Sequence, residues 1–175
     1  GMILKTRVDW VAFLDEESTE EFNKTTFPYI KGNINLNSTT PVTVNFPSPM
    51  SNTNYAVIVS PLGDPEGYYG EVFVDSKTIN GFNIQSSGRF TGTVEYIVAE
   101  YGKSAYDKTN HPVIGGYGTF NSLEPVRISI DENLTTNSYQ VLLMPEGNHS
   151  GTLGEIWVSE KERDGFTVNT TGGTV

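Results

Sequence analysis

The chain of 175 residues repeats itself, and this internal repeat limits the folds open to it more than any other feature. At an offset of 84, residues 32–91 align with residues 116–175 without a gap, and seventeen of the sixty pairs are identical. The clearest match joins GEVFVDSKTINGF, which begins at Gly70, to GEIWVSEKERDGF, which begins at Gly154. A repeat of this kind predicts that one folding unit occurs twice.

Each copy is predicted to consist of short strands. In PVTVNF (41–46) and its counterpart PVRISI (125–130), apolar and polar residues alternate, which is typical of a strand with one buried face. NYAVIVS (54–60) and SYQVLLM (138–144) are apolar on both faces and predict central strands. The sequence therefore predicts an all-β protein made of two tandem antiparallel β-sandwich repeats of about 84 residues, related by internal duplication.

The closing strand of each copy leaves two arrangements open. VDWVAFL (8–14) matches VEYIVAE (94–100), whereas the second copy stops at Val175, where such a strand would begin. Either each unit starts with this strand, which gives a first repeat at 2–92 and a second at 93–175, or strand 8–14 completes the second sandwich. In the second case the strand comes from the same chain or from a neighbouring subunit. We expect the second arrangement, because it leaves no truncated sheet edge.

Charge and composition exclude several classes of function. The net charge is −10 and the sequence pI about 4.5, so we expect no nucleic-acid partner, since binding phosphates needs clustered Lys and Arg. No apolar stretch is long enough to insert into a membrane. The absence of cysteine excludes thiolate metal sites, and we expect no metal and no cofactor. The first residues do not read as a signal peptide.

Residues with catalytic potential are few. A nucleophile needs a base held beside it, but the chain has two histidines, His111 and His149, and both fall in predicted loops. Glu71 and Asp75 lie about 13 Å apart on an extended strand, too far for the paired carboxylates of a glycosidase. We therefore predict no catalytic residues and no enzymatic activity.

The strand EVFVD and its counterpart EIWVS carry the first candidate ligand surface. Glu71 and Phe73 share one face in the first copy, and Glu155 and Trp157 share it in the second. An aromatic ring flanked by hydrogen-bonding groups suits a sugar, because the ring stacks on the pyranose while the polar groups bind hydroxyls. The alternative is that both aromatics cover a second sheet or a subunit interface, with each glutamate paired to the lysine six residues later.

The turn after the two-sided apolar strand carries the second candidate surface. In the first copy it reads GDPEGYYG, where two adjacent tyrosines offer a large contact area, although its acidic residues lack the spacing of a Ca²⁺-binding EF-hand loop. The candidate residues in this turn and in its counterpart are Asp64, Glu66, Tyr68, Tyr69, Asn148 and His149. Ordinary turn chemistry is the alternative explanation for all six.

The first copy resembles the small β-sandwich modules at the ends of bacteriophage tail fibres, and it is similar in outline to H-type lectin domains. The matching step is Lys77-Thr78, then Gly81-Phe82 and Ile84. The likeness covers residues 41–101 and 125–168, but the second copy departs from it, because glutamate follows its lysine and its closing strand is absent. The resemblance implies an antiparallel sandwich, frequent trimerisation and the binding of surface glycans or receptors.

These observations predict a non-enzymatic structural or receptor-binding module of a phage-like tail fibre, or a related surface adhesin, that recognises cell-surface glycans. We expect a homo-oligomer, a trimer being the form that the resemblance implies, located in a virion or another extracellular surface structure. Two alternatives remain open at this point. One is a purely architectural virion or tail protein with no small ligand, and the other is the accessory sugar-binding domain of an enzyme.

Overall fold

The structure is a computed structural model that describes residues 6–14, 29–62, 71–88, 90–106, 111–120, 124–130, 137–146 and 156–171. These ranges contain thirteen strands and no helix, so the prediction of an all-β fold is confirmed. The strands are β1 (Thr6–Leu14), β2 (Tyr29–Asn37), β3 (Val42–Asn45), β4 (Tyr55–Pro61), β5 (Val72–Thr78), β6 (Gly81–Ser86), β7 (Thr91–Glu100), β8 (Gly102–Tyr106), β9 (His111–Phe120), β10 (Val126–Ser129), β11 (Tyr139–Pro145), β12 (Ile156–Glu162) and β13 (Gly165–Thr170).

The first sandwich consists of an outer sheet in the order β3-β6-β5 and an inner sheet in the order β2-β7-β4. Both sheets are antiparallel. Their facing side chains form one core, in which the largest fully buried members are Leu36, Tyr55, Phe82, Ile84 and Phe90. The alternation of apolar and polar residues in β3 and β6 explains why one face of the outer sheet is buried and the other is polar.

The second sandwich has the same plan, with an outer sheet β10-β13-β12 and an inner sheet β11-β1-β9-β8. Its core contains Trp10, Ile128, Tyr139 and Phe166, and the rings of Trp10 and Phe166 meet edge to face at 5.3 Å. The N-terminal strand β1 lies between β9 and β11. Strand β1 therefore belongs to the second sandwich, which is the pairing described by the second of the two arrangements above.

Strand β7 occupies in the first sandwich the place that β1 occupies in the second. It pairs with β2 and β4, and Val57 of β4 faces Val98 as Val141 of β11 faces Ala12 of β1. A boundary between residues 92 and 93 would separate β7 from both strands with which it pairs. The backbone ladder, which the order of residues does not reveal, assigns this strand to the first sandwich. That the two units arose by duplication stays a prediction.

The two inner sheets pack on each other, so that the four sheets form successive layers. A third apolar cluster fills this contact, and its buried members are Val11, Ala56, Ile58, Ala99 and Val113. This packing corrects the prediction for the two strands that are apolar on both faces. Strands β4 and β11 are edge strands, not central ones, and they are apolar on both faces because each inner sheet is covered on both sides.

Glycines allow aromatic rings to lie against the inner sheets at equivalent places in both sandwiches. Gly32 of β2 lies beneath the ring of Tyr96, and Gly116 of β9 lies beneath the indole of Trp10, so that a Cβ atom at either glycine would collide with the ring. Gly32 is paired with Tyr96 and Gly116 with Trp10 across the strands. A small residue is therefore required opposite each ring.

The turns before β6 and β13 are held by the same hydrogen bond in both sandwiches. Gly81 and Gly165 have φ values of 150° and 154°, and a Cβ atom at either would strike a backbone carbonyl. The hydroxyl of Tyr55 donates to the Gly81 carbonyl at 2.8 Å, and that of Tyr139 donates to the Gly165 carbonyl at 2.8 Å. These repeated residues therefore serve packing and turn formation.

Candidate functional site

Seven of the ten predicted site residues lie outside the described residues. They are Asp64, Glu66, Tyr68, Tyr69, Asn148, His149 and Glu155. The structure places the remaining three, of which Glu71 stands immediately before β5 and is half-buried. Its backbone N–H donates to the Ser87 hydroxyl at 2.8 Å, and its carbonyl accepts from the Ser87 N–H at 2.8 Å.

The two aromatic residues that the sequence treats as equivalent differ in exposure. Phe73 of β5 is only 6% exposed, whereas Trp157 of β12 is 45% exposed. They are paired with Gln85 and Asn169 respectively, so both occupy the same register position of their outer sheets. Phe73 is therefore buried and cannot serve as a stacking platform, and its large apolar ring makes burial the favourable state. Trp157 presents such a surface.

The surroundings of Trp157 are polar. Its cross-strand neighbour Asn169 donates from Nδ2 to the Ser159 hydroxyl at 2.8 Å. The next residue on the same face, Thr167, donates from its hydroxyl to Glu160 Oε2 at 3.0 Å. The outer face beside the indole is thus a row of amide, hydroxyl and carboxylate groups. A solvent-exposed tryptophan on such a surface can offer stacking and hydrogen bonding to one ligand.

Arg127 lies on β10, the strand of this outer sheet that is farthest from Trp157. Its Nη2 atom lies 2.9 Å from Glu162 Oε2 and 2.7 Å from Asp164 Oδ1, and Nη1 donates to the Glu160 carbonyl at 3.1 Å. These bonds fix the bulged end of β12 against β10. Arg127 stabilises the outer sheet that carries Trp157. It does not offer a site for an anion, because two carboxylates already neutralise its charge.

Sequence reasoning did not identify a cluster of ionic residues between the two sandwiches. This junction cluster consists of Arg7, Asp9, Lys77, Tyr101 and Glu146. The Asp9 carboxylate is 2% exposed, and Oδ2 lies 2.5 Å from the ammonium of Lys77, whose side chain is 8% exposed. Arg7 Nε lies 2.8 Å from Glu146 Oε2. The signal that could have found the cluster is the aspartate inside the apolar strand VDWVAFL, since a buried carboxylate needs a counter-ion.

Tyrosines complete the junction cluster. The hydroxyl of Tyr101 donates to Asp9 Oδ1 at 2.9 Å and accepts a hydrogen bond from Arg7. Burial raises the pKa of the Tyr101 hydroxyl, and the negative charge of Asp9 raises it further. The Arg7 guanidinium lies 3.9 Å from the ring centre of Tyr117, which is a cation–π contact. With two carboxylates and two cations, the cluster neutralises itself and serves to join the sandwiches.

Lys77 and Lys161 make the same hydrogen bond in both sandwiches, which indicates a structural role within each. Lys77 donates to the Tyr55 carbonyl at 3.1 Å, and Lys161 donates to the Tyr139 carbonyl at 2.9 Å. Only Lys77 also meets Asp9, because only the first sandwich has β1 of the other sandwich beside its β4–β5 side.

Comparisons with protein-family models, with curated proteins and with solved structures found no match for this chain. The described residues contain no helix that is long and apolar enough to cross a lipid bilayer. In the same part of the chain, no three His, Cys, Asp or Glu side chains are grouped as metal ligands would be. The geometry of the described side chains is thus the basis for assigning a function.

Proposed function

We propose that the protein is a carbohydrate-recognition module that acts without catalysis, and that its ligand stacks on Trp157. The observation that carries this proposal is the 45% exposure of the Trp157 side chain at a position where the equivalent Phe73 is buried. Tryptophan is enriched at interfaces, because its ring is a large apolar surface and its N–H is a hydrogen-bond donor.

The polar neighbours suit a sugar better than an apolar ligand. The Ser159 and Asn169 side chains leave donor and acceptor capacity beside the indole, because each has more hydrogen-bonding positions than their mutual bond occupies. A pyranose ring has an apolar face for the indole and hydroxyl groups at its rim for these two side chains. Location in a tail fibre or a related surface adhesin is a further proposal, which rests on the resemblance of the sequence.

Assembly with other subunits is the second candidate function. Four large apolar side chains are exposed among the described residues, namely Leu62, Ile79, Tyr117 and Trp157. Aromatic residues are also enriched at subunit interfaces, so the same tryptophan could pack against another copy. In that case Trp157 would serve a homo-oligomer and would bind no glycan.

A glycan array probed with the intact protein and with Trp157→Ala tests the proposal. We expect the wild-type protein to bind one class of glycan, and the variant to bind it about tenfold or more weakly, because an aromatic stacking contact is lost. Ile79→Ala is the matched control, since Ile79 is 43% exposed but lies in a turn of the other sandwich, and it should leave binding unchanged.

The mass of each variant in solution distinguishes the two candidate functions. If Trp157→Ala lowers the mass of the assembly and the wild-type protein binds no glycan, the protein is an assembly module and the carbohydrate proposal is wrong. Equal glycan binding by wild type and Trp157→Ala would remove Trp157 from the site.

A further inference from the structure

Each inner sheet has two edge strands, and one of them is β4 in the first sandwich and its counterpart β11 in the second. The direction of the backbone groups in these strands follows from two hydrogen bonds just beyond them. Leu62 N–H donates to the Thr93 carbonyl at 2.9 Å, and Glu146 N–H donates to the Arg7 carbonyl at 3.0 Å. Because backbone direction alternates along an antiparallel strand, the odd-numbered residues of β4 and β11 point their N–H and C=O groups away from the sheet.

The outward edge of β4 is closed by side chains. The Tyr55 carbonyl accepts from Lys77 at 3.1 Å, and the Val57 N–H donates to Asp9 Oδ2 at 3.3 Å. Pro61, the last residue of the strand, has no N–H. Within the part of the chain that the structure describes, Val59 is the one outward residue of β4 whose N–H and C=O both lack such a partner. Closing an edge in this way prevents another strand from pairing with it.

The outward edge of β11 is closed only at its two ends. The Tyr139 carbonyl accepts from Lys161 at 2.9 Å, and Pro145 ends the strand without an N–H. Between them, the outward backbone groups of Val141 and Leu143 have no partner among the described residues. Val141 corresponds to Val57, but no carboxylate of a described residue approaches it as Asp9 approaches Val57. The second inner sheet therefore presents two consecutive open pairing positions.

A groove of about 690 Å³ adjoins this edge. Its lining comes from β2, β4 and β7 of the first inner sheet and from Leu142 and Leu143 of β11. Ile97 of β7 supplies apolar surface, and its cross-strand partner Ile58 of β4 lies beside it, mostly buried in the contact between the inner sheets. The groove thus combines an aliphatic floor with a strand edge.

A row of polar side chains crosses the open half of the groove. Asn33, Glu95 and Ser60 stand opposite one another on β2, β7 and β4. Among the described residues, none of these three side chains makes a hydrogen bond or an ion pair, and all three are exposed. Glu95 therefore offers an unpaired carboxylate at the position equivalent to Asp9, whose carboxylate is neutralised by Lys77. Lys31, the cross-strand partner of Ile97, also lines the groove, so a basic side chain of a ligand has to approach from the Glu95 side.

We propose that the groove binds an extended peptide of a basic partner, which adds as a strand to the open edge of β11. The peptide backbone pairs with Val141 and Leu143, which is the β-strand addition used by many peptide-binding domains. An aliphatic side chain of the peptide contacts Ile97, and a Lys or Arg side chain reaches Glu95. The net charge of −10 favours a basic partner over a second copy of this acidic chain.

Selection from a random heptapeptide library on the intact wild-type protein supplies the probes. We expect the selected peptides to share an aliphatic residue and at least one basic residue. Successive N-methylation of a selected peptide should abolish binding at every second amide only, because alternate amides of an added strand face β11. Glu95→Lys should weaken binding by about tenfold or more, since a charge-assisted contact becomes repulsive.

Two controls separate pairing from general electrostatics. Glu162→Lys makes the same change in net charge on the outer sheet of the second sandwich, and it should leave peptide binding nearly unchanged. Leu143→Pro removes one outward N–H without touching the ladder to β1 and should abolish binding, with thermal unfolding used to verify the fold. Trp157→Ala should keep full peptide binding, so this inference and the carbohydrate proposal fail independently.

Three outcomes would overturn the proposal. The first is that no peptide is enriched. The second is that N-methylation shows no alternation, or that Glu95→Lys and Glu162→Lys weaken binding equally. The third is a dimer in sedimentation equilibrium that Leu143→Pro dissociates, because the edge would then pair with a second copy of this chain instead of a basic partner.

Discussion

The ammonium of Lys77 in β5 lies 2.5 Å from the buried carboxylate of Asp9 in β1, so that one ion pair joins the two sandwiches across their junction. The two residues stand 68 positions apart in the sequence. Both charges are almost completely removed from water, and each is the closest counter-ion of the other, since Arg7 lies 3.7 Å from Asp9 and Glu146 lies 3.7 Å from Lys77. This dependence makes the pair sensitive to the loss of one partner and much less sensitive to the loss of both.

Lys77→Met should lower the free energy of unfolding by about 3 kcal/mol, because it leaves Asp9 buried without its closest counter-ion. The matched control is Lys161→Met, which removes the same bond to a tyrosine carbonyl but no ion pair, and we expect about 1 kcal/mol or less. The double variant Asp9→Leu/Lys77→Met should recover much of the loss. Urea unfolding measures all three, and equal losses for Lys77→Met and Lys161→Met would contradict this assignment.

Gly116→Ala should destabilise the protein by about 1–3 kcal/mol, because the new methyl group would overlap the indole of the buried Trp10. Adding Trp10→Phe to Gly116→Ala should restore part of the lost free energy of unfolding, since the smaller ring leaves room for the methyl group. Thermal unfolding measures the change. A neutral Gly116→Ala variant would show that the sheet can move away from the ring.

Stability should fall as the pH rises from about 10 to about 12, the interval between the ordinary tyrosine pKa and that of Tyr55 in the fold. Burial raises the pKa of Tyr55 to about 12, so the folded state holds this proton more tightly than the unfolded state does. The resulting stabilisation is fully present below the unfolded pKa and is lost through this interval. Tyr55→Phe should reduce the slope of unfolding free energy against pH, and an unchanged slope would show that Tyr55 does not contribute.

Phe73→Ala and Trp157→Ala should differ in stability although they occupy equivalent positions. Phe73 is buried, and its truncation should cost about 3–5 kcal/mol through lost burial and a cavity. Trp157→Ala should cost about 0.5 kcal/mol or little more, as is usual for exposed side chains. Chemical unfolding of both variants provides the comparison. A large loss for Trp157→Ala would mean that the indole supports the fold and is not held available for a ligand.

Local patterns were sufficient to predict the strands but not their neighbours. The alternation in residues 42–45 and 126–129 identified β3 and β10, and the glycines at 81 and 165 identified the turns. The same patterns led to the wrong position for β4 and β11, because an apolar strand covered on both faces looks alike at the centre and at the edge of a sheet. The spacing of apolar and polar residues in a strand indicates which of its faces is buried. The strand that pairs with it depends on residues far away in the chain.

The candidate sites show the same division. From sequence, Trp157 and Phe73 were one feature repeated, and Asp9 was a polar residue in an apolar strand. Their exposure and their partners depend on which sheets stack, and no local pattern contains that information. Seven of the predicted site residues lie outside the described residues, so those predictions stand as they were made.

The amino-acid sequence by itself determined that this chain builds antiparallel sheets twice over, because alternation, turn glycines and the repeat are encoded within short segments. Only the tertiary structure decided that β1 completes the second sandwich, that Asp9 meets Lys77, and that, among the described residues, more side chains close the β4 edge than the β11 edge. The physical reason is that hydrogen-bonded ladders and buried ion pairs join residues that are distant in sequence, and their energies depend on the shared burial that only the packed sheets provide.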